Sequence, residues 1–190
     1  MDQQSNMNRA VLGVALATVL VLLVPLVASQ FTDEVAWSAA DSIIMGVLIF
    51  GTGLSYIMLS RYSSNFTYRL AIGLALGTTL FMVWANLAVG LIGSGPHMGN
   101  LMYIGVVAVA IMGAFSSRFK AAGMERAMYY CALSLVLIAA IALIAKMDSY
   151  TGASMIEILG VNGFFAALYA ISGLLFRNVA SSQSPQKTQG

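Results

Sequence analysis

The run AVLGVALATVLVLLVPLVA, residues 10–28, holds no charge and a single hydroxyl. A helix that crosses ~30 Å of hydrocarbon needs about 20 such residues. The run is therefore read as a transmembrane helix. Five more stretches share its character: residues 39–59, 70–92, 101–115, 127–145 and 156–176. The fourth is short unless it extends into Ser116 and Ser117. Six spans of ~20 residues use about 120 positions, and short loops join them. The expectation is an all-α, polytopic membrane helix bundle. A single transmembrane domain would cover residues 1–176, and a polar cytoplasmic tail residues 177–190. Loops this short predict antiparallel hairpins between successive helices.

Composition points the same way. Hydrophobic residues make up 59% of the chain and charged residues 8%, against about 25% charged in a soluble domain. Nine Lys and Arg against seven Asp and Glu form no basic patch for nucleic acid. One Cys excludes an intrachain disulfide framework. With the N-terminus inside, Arg9, Arg61, Arg69, Arg118, Lys120, Arg126, Arg177 and Lys187 fall on the cytoplasmic side, and only Lys146 falls outside. The bias of basic residues toward the cytoplasm predicts N-in, C-in. Asp33, Glu34, Asp41, Asp148 and Glu157 would then face outward. Ala28 and Ser29 resemble a cleavage site, but the apolar run exceeds the 7–15 residues of a signal peptide core, so a retained helix is expected. Tyr56, Tyr62, Tyr68, Phe119, Tyr129 and Tyr130 fit an inner aromatic belt. Phe31, Trp37, Tyr103 and Tyr150 fit an outer one.

Small residues mark where membrane helices can touch, because lipid tails leave no hydrophobic force to join them. Gly73 and Gly77 form a GxxxG in the third span. Gly163, Ala167, Ala170 and Gly173 line the sixth, Gly13 and Ala17 the first, and Gly46, Gly51 and Gly53 the second. They suit packing within the bundle or self-association. Pro25 predicts a kink in the first span. Ser60-Arg61-Tyr62 before Arg69 matches Ser117-Arg118-Phe119 before Arg126. This is either a weak internal repeat or two cytoplasmic loops with similar needs.

Each polar residue carries two readings. Ser38 with Asp41, and Ser154 with Glu157, fit the [ST]-x-x-[DE] capping box at helix starts; the alternative is carboxylates that handle protons or cations. Asn86 lies in an otherwise apolar run and must find a partner, since lipid offers none. Asn162 at similar depth is the natural candidate, and a ligand contact is the sharper reading. Residues 90–100, GLIGSGPHMGN, break the third span, with Asn100 as an N-cap for the fourth. This segment is an outer hairpin loop or a re-entrant one. His97, the only histidine, stands near Met98 and Met102, a weak set for Cu(I); no metal and no cofactor is favoured. Cys131 reads as a small buried hydrophobe. No Ser/His/Asp set, HExxH or catalytic carboxylate pair is present, and no P-loop.

The segment Trp84-Ala-Asn86-Leu-Ala-Val-Gly90-Leu-Ile-Gly93, followed by Asn100-Leu-Met-Tyr103, resembles an uncharacterised family of small multi-pass bacterial inner-membrane proteins. That family shares a W-x-N-x-A-V-G-x-I-G core and an N-L-M-Y return. The likeness covers about 20 of 190 residues. It implies a bacterial inner-membrane setting and draws attention to the third span, its outer loop and the start of the fourth. The family places acidic residues and an Asn in the turn; here the turn reads Ser94-Gly95-Pro96-His97, which argues against a carboxylate role.

Three functions are consistent with these residues. The first is a non-enzymatic accessory or assembly subunit, with lipid and other membrane subunits as partners. The second is a small-solute transporter or membrane substrate-binding component whose outer site is built from Trp84, Asn86, Gly93, His97, Asn100 and Asn162. The third is a metal or redox subunit using His97, Met98 and Met102.

Overall fold

The computed structural model describes residues 2–31, 38–93 and 97–183. Asp33, Glu34, Trp37, Ser94, Gly95, Pro96 and Lys187 lie outside the described residues. The chain is all-α, and no strand occurs among the described residues. Its helices are α1 (Asp2–Ala28), α2 (Ala39–Leu59), α3 (Phe66–Ala88), α4 (Met102–Ser116), α5 (Ala121–Ile144) and α6 (Met155–Gln183). Among the described residues six helical segments are long and apolar enough to cross a membrane; the fourth reaches 19 residues by adding the 3₁₀ turn at Met98–Leu101 to α4. This is a multi-pass membrane protein.

Local chemistry moves several boundaries. α3 starts four residues before the expected span because Asn65 caps it, accepting from the Tyr68 amide at 3.2 Å. It ends at Ala88 because Gly90 takes φ +77, a conformation that halts a helix and suits glycine. α6 continues through Arg177 to Gln183, so the first half of the expected polar tail is helix. Ser38 and Asp41 form a complete capping box: the Ser38 hydroxyl accepts from the Asp41 amide at 3.1 Å, and the Asp41 carboxylate accepts from the Ser38 amide at 2.9 Å. Ser154 accepts from the Glu157 amide at 3.2 Å, and its hydroxyl donates to the Glu157 carboxylate at 2.9 Å. Both acids are thus engaged with helix starts. Ser38→Ala should cost α2 about 1 kcal/mol, read as a lower denaturation midpoint.

The chain forms two compact units: one ends at Arg61 and the other begins at Tyr62. The first is the α1–α2 hairpin. A side chain at Gly53 would strike Val14 at 2.4 Å, and one at Gly46 would meet Leu22 at 3.4 Å. The two pairings run in opposite senses along the helices, so the hairpin is antiparallel. Much of its surface is exposed Leu, Val and Ile. A patch of that size is stable against lipid but not against water.

In the second unit α3 packs on α6, α6 on α5, and α5 on α4. α3 and α4 meet only sparsely, although a short loop joins them. The expected hairpin at this position is therefore splayed. Polar contacts tie the helices together, as they must where lipid supplies no hydrophobic drive. The Ser172 hydroxyl donates to the Ala71 carbonyl at 2.9 Å. Thr79 and Tyr169 share a hydrogen bond of 2.7 Å. The Tyr68 hydroxyl donates to the Phe119 carbonyl. Tyr68 and Tyr103 are each 2% exposed, so they belong to the core rather than to the aromatic belts. Cys131 is fully buried, its thiol 3.9 Å from the Val106 carbonyl.

The small-residue forecast is corrected in part. Gly173 packs closely, 2.7 Å from the Tyr129 ring for an added Cβ. Gly77 and Gly163 would meet nothing within 4 Å, and both, like Ala167, are exposed. Gly73 is half-buried. Gly53 against Val14 bears the forecast out, and two close approaches it did not name lie at Gly113 against Ala127 and Gly123 against Ser117, where α4 turns into α5. The two similar Ser-Arg-aromatic segments differ locally: Ser60–Tyr62 is a 3₁₀ turn, whereas Arg118 and Phe119 have φ of 50° and 59°. The repeat is not carried into conformation.

Candidate functional site

The loop after α3 is built around one side chain. Gly90 and Gly93, with φ of +77° and +69°, fold the chain back so that Asn100 comes beneath the end of α3. The Asn100 Oδ1 accepts from the amides of Leu91 at 2.9 Å and Ile92 at 2.8 Å. Ile92 is fully buried, Leu91 nearly so, and Asn100 is 7% exposed. These amides have left the helix and cannot reach water, so a side-chain acceptor must satisfy them. Asn100 was expected to cap α4. It sits instead within the 3₁₀ turn Met98–Leu101 and serves the preceding loop.

Asn86 completes the arrangement. Its Nδ2 donates to the Asn100 carbonyl at 3.1 Å, not to Asn162. The expected partner is occupied elsewhere: the Asn162 Oδ1 accepts from the Tyr103 hydroxyl at 3.2 Å, and its Nδ2 donates to the Ile158 carbonyl at 2.9 Å. Matching depth suggested Asn162, but the folded-back loop brings an acceptor closer. The Asn86 amide orientation is fixed by its donation to Asn100. That leaves Oδ1 as a buried acceptor with no partner. An unsatisfied buried acceptor costs roughly 1–3 kcal/mol.

Asn86 lines a cleft of about 610 Å³ between the end of α3 and the start of α4. His97 and Asn100 share its wall, with Leu87, Leu101, Tyr103 and Ile104 supplying apolar surface. Three of the six residues expected at the outer site thus converge here. The other three stand apart. Trp84 is 42% exposed beside Phe81, with ring centroids 5.8 Å apart. Gly93 lies against His97 and Tyr150. Asn162 is buried beneath Tyr103. The apolar wall was missed because these residues are indistinguishable in sequence from lipid-facing ones.

The His97 ring stacks on Tyr150 with centroids 4.8 Å apart and planes 24° apart. Met98 is 80% exposed, and Met102 does not line the cleft. Among the described residues no cluster of three His, Cys, Asp or Glu could hold a metal. This geometry lends the copper reading no support. No family model, curated protein or solved structure matches the chain.

Proposed function

We propose that this is a non-enzymatic protein of the bacterial inner membrane that binds a small, largely apolar molecule carrying one hydrogen-bond donor. It is the substrate-binding or transport reading of the sequence, with N-in, C-in topology. The observation that carries it is Asn86, a residue whose Oδ1 has no partner, in the lining of a mostly apolar cleft. The volume lies within the ~300–1,000 Å³ usual for small-molecule sites. A donor on the ligand would offset the desolvation of that oxygen, while its hydrocarbon body would fill the splayed space between α3 and α4.

A matched pair of probes tests this. A ten-carbon terpene alcohol should stabilise the purified protein more than the corresponding hydrocarbon. One hydrogen bond has a net value of about 0.5–1.5 kcal/mol, which is roughly a 2–12-fold difference in affinity, read from thermal shifts. Asn86→Leu should abolish the preference. Equal binding of alcohol and hydrocarbon to the unaltered protein would discard the reading.

A second reading, an accessory subunit of a membrane complex, is supported by the exposed small residues Gly77 on α3 and Gly163 and Ala167 on α6. Stoichiometric co-purification of another membrane subunit from native membranes would favour it.

A further inference from the structure

At the opposite end of the second unit, the α4–α5 connection forms a different kind of cavity. Arg118 and Phe119 both adopt the left-handed conformation. The Tyr68 hydroxyl on α3 holds the Phe119 carbonyl, and the Phe119 amide donates to the Ser117 hydroxyl at 3.1 Å. This pinned turn places Arg118 and Lys120 on the wall of a cavity of about 540 Å³, together with Tyr62, Ser63 and the first residues of α5, Ala121 and Ala122. Among the described residues no carboxylate lines it. Glu125, the acid nearest in sequence, sits a turn further along α5 and outside the lining.

The start of α5 lacks a side-chain cap. Lys120 occupies the N-cap position and offers no acceptor, and the first turn holds no acid. The amides of Gly123 and Met124 both reach the Lys120 carbonyl, so those of Ala121 and Ala122 are the ones a helix leaves without an intrahelical partner. Two cations, three hydroxyl-bearing side chains (Tyr62, Ser63 and Tyr68) and the two residues that carry these amides therefore line one space. That donor set suits a phosphate anion. The way in is lined for lipid. Tyr62 lies tilted against Phe119 with centroids 4.6 Å apart, and Phe119 meets Phe115 at 5.6 Å. Phe115 and Tyr62 are 68% and 59% exposed, giving an apolar lane on which an acyl chain can lie.

We propose that this cavity is a binding site for the phosphate headgroup of an anionic phospholipid, held by Arg118, Lys120 and the uncapped start of α5. Basic pockets between membrane helices recognise such headgroups. The site is separate from the Asn86 cleft, and its test is independent of that reading.

The full-length protein in detergent, mixed with phosphatidylglycerol and phosphatidylcholine, is examined by native mass spectrometry. Wild type should retain phosphatidylglycerol in preference. The double variant Arg118→Gln/Lys120→Gln should lose about 10–25-fold of that preference, given roughly fivefold for each cation close to an anionic lipid surface. Arg126→Gln/Arg177→Gln removes the same charge from the same end without touching the cavity, and should stay within about twofold of wild type. Should the first double variant fail to fold, Lys120→Gln alone is compared with Arg126→Gln. Equal losses in the two sets would overturn the site, since diffuse surface charge would then explain the selectivity. Complete displacement of phosphatidylglycerol by an equal concentration of inorganic phosphate would overturn the lipid assignment and leave a site for a free anion.

Discussion

Replacing Asn100 with alanine is expected to destabilise the four-helix unit by about 2–6 kcal/mol, the largest effect of any single substitution considered for this protein. The substitution removes the acceptor shared by the Leu91 and Ile92 amides. Each buried amide left without a partner costs roughly 1–3 kcal/mol, and neither residue is exposed enough for water to take over. The loop would have to unfold locally to recover solvation. That would release the Asn100 carbonyl from Asn86 and open the cleft from above. The check is an equilibrium unfolding titration in mixed micelles, with Asn86→Ala beside it. Asn86→Ala removes only one hydrogen bond and one unsatisfied acceptor, so it should cost less than ~1 kcal/mol. A loss below about 0.5 kcal/mol for Asn100→Ala would mean that the two amides find another partner, and the proposed role of Asn100 would fall.

The contrast between these two asparagines shows what was legible in the sequence. Bilayer thickness acts on every residue of a span alike, so hydropathy alone located all six helices and the capping boxes marked the starts of α2 and α6. The partner of Asn86 was not legible by the same rule. Depth in the membrane suggested Asn162, but a side chain bonds to what its own turn of helix can reach. Which group lies within reach depended on two glycines with positive φ that folded the loop back. The splay of α3 from α4 was equally hidden. A short loop constrains the ends of two helices, not their contact along the membrane, and that contact is settled by which helix offers the better packed face. Here α6 lies against both α3 and α5. Even so, the Gly-rich break after the third span, which the sequence marks by composition alone, is where Asn86 and Asn100 meet and where the cleft opens.

Glycines supply the second large prediction, which separates motif from contact. Gly77 completes a GxxxG, yet a methyl there would meet nothing within 4 Å. Gly77→Ala should therefore be neutral or stabilising by up to ~1 kcal/mol, because alanine loses less backbone entropy in a helix. Gly123 belongs to no motif, and it lies in the first turn of α5. A methyl there would lie 2.4 Å from the Ser117 Cβ and 3.0 Å from its Cα. Ser117 cannot yield easily: its hydroxyl donates to the Ala114 carbonyl at 2.7 Å, and its carbonyl accepts from the Lys120 amide at 3.1 Å. Backbone would have to shift, and overpacking of this kind costs about 1–3 kcal/mol. Gly123→Ala should thus destabilise despite alanine's better helix propensity. It should also disturb the turn that positions Arg118 and Lys120. The two variants are compared in one unfolding series at fixed detergent. A loss above ~1 kcal/mol at Gly77 would mean that its face is covered by another helix in the membrane, and tolerance at Gly123 would mean that the α4–α5 turn is looser than its hydrogen bonds require.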